Sequence, residues 1–196
     1  MKRALPLVGL ALFLASCVDT AGILPMSSKT PRGNPQSVVT VTEYADFECP
    51  ACGAAHATIV KPLLEKYGSQ VRFDFRHFPL RSIHRYTMDL AEAAECAADQ
   101  GKFWEYVDAA FEKQQDLKKG SAQLWGEELV SDKDMFSRCI RSHIKQDAII
   151  AEYDAGVAAG VQGTPTFMVN DGQVAASAED ISAAIDALLK GATQRL

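Results

Sequence analysis

Apolar and polar positions along the chain follow two periods, and the places where one gives way to the other outline a single domain. Val38 to Tyr44 is an apolar, β-branched run that predicts a strand. Gly53 to Lys66 then carries Ile59, Leu63 and Leu64 at helical spacing. From Val71 to Phe78 the period drops to two, with Val71, Phe73 and Phe75 on one side and Arg72, Asp74 and Arg76 on the other, as in a half-buried strand. Helical spacing returns over Met88 to Ala98, Phe103 to Phe111 and Met135 to Val157, punctuated by Gly101, Gly120 and Ser131. Thr166 to Val169 and Gln173 to Ala175, joined through Asn170-Asp171-Gly172, predict a hairpin, since Asp-Gly is a strong turn signal. Ser177 is placed to cap a closing helix with Glu179 and Asp180 in its first turn and Ile181, Ile185, Leu188 and Leu189 facing inward. The order strand, helix, strand, helices, strand, strand, helix describes an α/β domain.

The chain ahead of this pattern is different. Lys2 and Arg3 form a basic head, Ala4 to Leu14 is apolar, and Leu14-Ala15-Ser16-Cys17 closes the segment with small residues. A bilayer span needs about 20 residues, so a signal peptide over residues 1–16 is expected rather than a transmembrane helix. The Leu-Ala-Ser-Cys box resembles a bacterial lipoprotein signal, which implies cleavage before Cys17 and lipidation of that residue; a plain secretory signal is the alternative. Val18 to Gln36, rich in Pro, Gly, Ser and Thr, reads as a flexible tether that would hold the domain roughly 25 Å from the membrane. Residues 37–196 are the length of one domain with a substantial core. Without Lys2 and Arg3 the formal charge moves from −5 to −7, and no basic run supports nucleic-acid binding.

The chemistry sits where the first strand meets the first helix, at Cys49-Pro50-Ala51-Cys52. Residues three apart on a helical turn are neighbours, close enough for a reversible disulfide. Pro50 suits the first helical position, where no backbone donor is needed. Unpaired N–H groups at that end favour a thiolate on Cys49, and a thiol with a pKa near 8.5 that is only about 3% ionised at pH 7 becomes about half ionised if the pKa falls to roughly 7. Cys49 is the expected nucleophile and Cys52 the resolving thiol. Taken alone, a CxxC is also half of a zinc site or a structural crosslink; no second pair at zinc spacing occurs, and neither a metal nor a cofactor is expected.

Three stretches together resemble the DsbA-like family of thioredoxin-fold thiol:disulfide oxidoreductases: Phe47-Glu48-Cys49-Pro50-Ala51-Cys52, Gly163-Thr164-Pro165-Thr166-Phe167, and Ala93-Ala94-Glu95-Cys96-Ala97 with Gly101-Lys102-Phe103-Trp104. The resemblance covers nearly all of residues 37–190. It implies a thioredoxin-like fold with a helical insertion at about residues 84–160. It also implies a cis Thr164–Pro165 bond opposite the cysteines, with the Thr164 backbone pairing with an extended substrate beside Pro50 and Ala51. Glu43 matches the buried acid of the family pattern and shares a face with Val39 and Val41, so it is expected to be buried, its pKa raised, and able to take the proton of Cys52; a solvated strand-edge carboxylate is the alternative. Asp46 and Glu48 are expected to oppose the thiolate. The Pro-Ala dipeptide lacks the histidine of the strongest oxidants in the family, which predicts a moderate reduction potential.

Cys96 and Cys139 both fall in the insertion. In an exported chain they are expected to pair, closing a loop worth about 4 kcal/mol in the chain-entropy picture; two small core residues are the alternative. Of the histidines, His56 reads as a surface or core-edge residue, His77 as packed with its strand, His84 as having no clear role, and His143 as a solvated residue at a helix start. Trp104, Tyr106 and Phe111 read as core. The function expected is disulfide exchange with exported cysteine-containing proteins by a lipid-anchored monomer of the cell envelope, served by a membrane redox partner. An oxidase is favoured over an isomerase, although sequence leaves oxidase against reductase open. A peptide-binding chaperone with a structural CxxC is the competing class.

Overall fold

The computed structural model describes residues 18–193; the signal segment and Cys17 lie outside the described residues. The sheet has the strand order β1-β3-β2-β4-β5, with β1 Arg32–Gly33, β2 Thr40–Ala45, β3 Arg72–His77, β4 Thr166–Val169 and β5 Gly172–Val174. β2 and β3 are parallel, and every other neighbouring pair is antiparallel. The parallel crossover is carried by α1 Pro50–Ala55, a π-helical turn at His56–Val60, and α2 Lys61–Tyr67. Between β3 and β4 the chain inserts α3 Thr87–Ala98, α4 Phe103–Glu112, a 3₁₀ turn at Gln114–Asp116, α5 Ser121–Glu127, α6 Lys133–Ser142 and α7 Gln146–Ala158, and α8 Ala178–Thr193 closes the fold. This is the expected thioredoxin-like α/β architecture with its helical insertion.

Alternation along the strands decides what meets what. Val41, Glu43 and Ala45 of β2, Phe73 and Phe75 of β3 and Phe167 and Val169 of β4 are all buried. Ile59, Val60 and Leu63 of the crossover and Ile181 and Ile185 of α8 pack on one end of this layer, while Tyr106 and Phe111 of α4 pack against Phe75 at the other. Tyr44, Phe78, Val161 and Met168 make a smaller cluster against Tyr153 of α7. α3 is the hub of the insertion. Its run of alanines lets α4, α5 and α6 approach closely, and the Cys96–Cys139 disulfide bonds it to α6.

The structure corrects the reading of residues 18–36 as a flexible tether, because the segment is laid along the domain. Ile23 is buried in the core of the insertion. Lys29 Nζ bridges Glu95 at 2.9 Å and Glu152 at 2.7 Å, Trp104 Nε1 donates to the Thr30 carbonyl, and Arg32 grips Asp108 with two nitrogens. β1 then extends the sheet, and Gly33 at φ +83° fits only because it lacks a side chain: a Cβ there would lie 2.5 Å from the Val71 carbonyl oxygen. The composition looks like a linker because only a few residues do the holding, and their partners lie 66 to 123 positions away.

Two further elements differ. The run Met135 to Val157 is broken into α6 and α7 at His143, which adopts the left-handed conformation at φ 53° and caps α6. Lys145 turns inward there to bond the Met26 carbonyl and Asp99, and is fully buried. Neither glycine nor proline marks the break. His143 therefore ends a helix rather than starting one, although its side chain is exposed as expected and meets Glu92 at 2.9 Å. α5 has too short a pattern to be read from periodicity; it follows Gly120 at φ +87° and buries Trp125. Among the described residues no helix is long and apolar enough to cross a membrane.

Candidate active site

β2 delivers the chain to the turn Asp46-Phe47-Glu48, and α1 begins at Pro50 with Cys49 as its N-cap at φ −73°, ψ 117°. The Cys49 carbonyl accepts from Cys52 N at 3.0 Å and Gly53 N at 3.2 Å, so the first helical turn brings the two cysteines together as the spacing predicts. Both are free thiols and buried, while Pro50 and Ala51 between them are exposed.

The two acids flanking the nucleophile are engaged elsewhere. Asp46 Oδ1 accepts from Glu48 N, and its Oδ2 accepts from Leu80 N at 2.7 Å and meets His84 Nδ1 at 2.8 Å; Glu48 accepts from Tyr86 N. They hold the loop after β3 against the redox turn, which gives His84 a partner that spacing could not show. His77 packs as expected and meets buried Glu95, whereas His56 is buried rather than at the surface or core edge, its ring tilted against Phe111 and its Nε2 3.0 Å from Asp108.

On the other side of Cys49, the Thr164–Pro165 peptide is cis and the Thr164 carbonyl oxygen lies 3.5 Å from Cys49 Sγ. Cys49 sits between two hollows. One is walled by Gly163, Thr164, Pro165 and Gln173, the other by Glu48, Pro50, Tyr86, Gln114 and Leu117.

The electrostatics separate the two sulfurs. The Cys52 thiol donates to Cys49 and, with help from the Thr164 side chain and the N–H groups of Cys52 and Ala51, brings the Cys49 pKa down to about 5 despite its partial burial. Burial and that same hydrogen bond push the Cys52 thiol far up, so the pair holds one thiolate and one thiol near neutrality. Glu43 has Phe75 and Phe167 as its cross-strand neighbours and is 1% exposed. Neither carboxyl oxygen finds a hydrogen-bond partner among the described residues, and burial raises its pKa to about 8. It is close enough to Cys52 for its charge to oppose ionisation there. The arrangement pairs an ionised outer sulfur with a protonated inner one, and sets a neutral carboxyl by the inner one.

Among the described residues one cluster has the donors of a metal site: His77, Glu95 and Glu152 bring ligand atoms within 4.8 Å of one another. Lys29 already supplies a cation between the two carboxylates. Although burial alone would raise the Glu95 pKa, the His77 hydrogen bond and Lys29 hold it well below the usual carboxylate range. The cluster therefore serves as the receiving site for the N-terminal segment.

A family model described as Thioredoxin matches residues 27–187. Among curated proteins the chain is similar to the Na(+)/H(+) antiporter NhaA 3 of Salinispora tropica, 43% identical over 139 residues that make up 71% of this chain and 21% of that one. It is also similar to the Na(+)/H(+) antiporter NhaA 1 of Salinispora arenicola, 37% identical over 84% of this chain and 25% of that one. The chain thus spans about a fifth to a quarter of the length of these relatives. Among solved structures, oxidised BdbD from Bacillus subtilis superposes with a TM-score of 0.74 at 21% identity, covering 84% of this chain and 98% of that one. A thioredoxin-like oxidoreductase from Silicibacter pomeroyi gives 0.71 at 25% identity, covering 83% and 93%, and Pseudomonas aeruginosa DsbA2 gives 0.65 at 25%, covering 84% and 96%.

Proposed function

The chain belongs to the thioredoxin family, with the fold of the DsbA-like thiol:disulfide oxidoreductases and a Cys49–Cys52 pair set up for disulfide exchange, and from that premise we propose that it is an oxidase of exported proteins with a moderate potential. The observation that carries this reading is the contrast between the two sulfurs. In the oxidising direction a client thiolate attacks Cys49 Sγ of the Cys49–Cys52 disulfide, a client–Cys49 disulfide forms, and Cys52 leaves with the proton that neutral Glu43 supplies. A second client thiolate then attacks the client sulfur and expels Cys49 as a thiolate, so the client gains a disulfide and this chain gains two electrons. A Cys49 that is stable as a thiolate favours this end state. Its pKa of about 5 falls between the roughly 7 of a reducing CxxC protein and the roughly 3.5 of a strong oxidant, in line with the missing histidine.

The cis-proline side supplies the client's place. The Thr164 backbone would take an extended client segment as an added strand, with its sulfur over Cys49 and its flanks against Pro50, Ala51 and Pro165. Export, lipidation of Cys17 and re-oxidation by a membrane partner complete the proposal. Antiporters work across a membrane, and the match to a fifth of such a chain supports a module that acts beside one.

The test compares two directions. The purified domain should form disulfides in reduced, unfolded ribonuclease A with a glutathione buffer faster than it reduces insulin with dithiothreitol, and Cys49 and Cys52 should be recovered mainly as the disulfide from the cell envelope. Fast insulin reduction with a mainly dithiol pair in the envelope would instead make it a reductase.

A further inference from the structure

Gln114 stands in the 3₁₀ turn that follows α4, 61 positions after Gly53, yet its side chain lies on the redox turn. Both N–H groups of its amide are used there. Nε2 donates to the Phe47 carbonyl at 2.8 Å and to the Cys49 carbonyl at 2.9 Å. The opposite setting of the amide would place Oε1 against two carbonyl oxygens, so the acceptors fix which end points inward. Oε1 then faces Gly53. A Cβ at residue 53 would lie 2.5 Å from it, so the bare glycine is what lets the amide reach the turn.

We infer that Gln114 is a positioning residue for the nucleophile: it pins the Phe47–Glu48 and Cys49–Pro50 peptides and makes the setting of Cys49 depend on where the helical insertion sits. The inference rests on the oxidoreductase reading and deepens it. Carbonyl oxygens are the negative ends of their dipoles, so how the Phe47 and Cys49 carbonyls are held bears on the field at the nucleophile; the Cys49 carbonyl already accepts from Cys52 N and Gly53 N, and the amide adds a donor to each carbonyl. Gln114 provides those donors without adding a charge. It also keeps Cys49 against the Cys52 thiol, the neighbour that distinguishes this sulfur from its partner, and beside the Thr164 carbonyl of the cis-proline loop.

The coupling to the insertion has a physical route. α4 is tied to the crossover by the contact of Asp108 with His56 and by the pair of Glu112 with Lys61 at 2.6 Å, and Gln114 is the continuation of that seam onto the active-site turn itself. A client that pushes on the loop walled by Gln114 and Leu117 would therefore move the support of Cys49.

Three variants of the full chain test this. Gln114→Met keeps the length and donates nothing, Gln114→Glu keeps the shape and replaces both donors by acceptors, and Gly53→Ala expels the amide without altering it. Each is titrated for the Cys49 thiolate by absorbance at 240 nm and equilibrated with glutathione, with thermal unfolding recorded alongside. Gln114→Met should raise the Cys49 pKa by about one pH unit and shift the equilibrium about tenfold towards the protein disulfide, and Gln114→Glu should do more. Gly53→Ala should reproduce the Met result, and it should add little in the Gln114→Met background, because both changes remove the same contact. A merely structural role would lower the melting temperature and leave the titration where it was. Wild-type protein that neither oxidises reduced ribonuclease A nor reduces insulin would refute the oxidoreductase reading. Active wild type with variants that titrate and equilibrate like it, or with additive effects at residues 53 and 114, would overturn the role of Gln114 alone.

Discussion

Cys52→Ser is expected to convert the protein into a trap. The Cys49 thiolate survives in that variant, since a serine hydroxyl can replace the thiol as donor, and it will still attack a client disulfide. The mixed disulfide then has no internal thiol to resolve it. One client per chain should accumulate, visible as a mass increase under non-reducing conditions and reversed by dithiothreitol, while turnover falls to the rate of the reagent thiol alone. Cys49→Ser should show the same loss of turnover with no mixed disulfide, because the remaining sulfur is buried and held as a thiol. An exchange rate in either variant close to wild type, or mixed disulfides on Cys52, would remove the assigned order of attack.

The second large effect concerns Glu43 and has opposite signs in stability and in rate. The carboxyl titrates at 4.5 ordinarily and at about 8 in the folded chain, so between those values the native state keeps a proton that the unfolded chain gives up. Raising the pH across that window lowers stability, and above it the cost levels off at up to ~5 kcal/mol. Glu43→Gln removes the titration. Its stability should match wild type near pH 4.5 and exceed it by a growing margin up to pH 8, measured by urea unfolding of the dithiol form. The same variant should slow the step in which Cys52 gives or takes its proton, by roughly 10²-fold if Glu43 acts as a general acid and base. Parallel stability profiles across the window, or an unchanged rate of mixed-disulfide resolution, would take Glu43 out of the account.

The central features of this site could be read from the chain because they depend on short-range rules. A CxxC on a first helical turn needs only residue spacing, the place of Glu43 on the buried face follows from strand alternation, and the turn Asn170-Asp171-Gly172 follows from its residue types. The cis Thr164–Pro165 bond and the insertion came from the resemblance of whole motifs. Other features could not be read, because they depend on partners far away in sequence. Residues 18–36 have linker composition, and only the fold brings Glu95, Asp108 and Glu152 to Lys29 and Arg32. The break before Lys145 is set by Asp99 and the Met26 carbonyl rather than by a helix-breaking residue. Gln114 has no local signature at all, and its meaning appears only when its amide is seen on the carbonyls of Phe47 and Cys49.

The expectation that Asp46 and Glu48 oppose the thiolate failed for a related reason. Charge counted along the sequence ignores where it points. Here the loop after β3 supplies two backbone N–H groups and His84 to absorb both acids, and the hydrogen bond from Cys52 prevails at Cys49. The pKa of about 5 is accordingly lower than the roughly 7 that a helix terminus alone suggests.

Everything in this account depends on Cys49 being the acidic sulfur of the pair. The direct measurement is the pH dependence of thiolate absorbance in the dithiol protein, with Cys49→Ser and Cys52→Ser assigning the signal. The structure predicts one ionisation near 5, lost in Cys49→Ser and retained in Cys52→Ser, and none from Cys52 below pH 10. A single step near 9, or an acidic step that survives in Cys49→Ser, would contradict it.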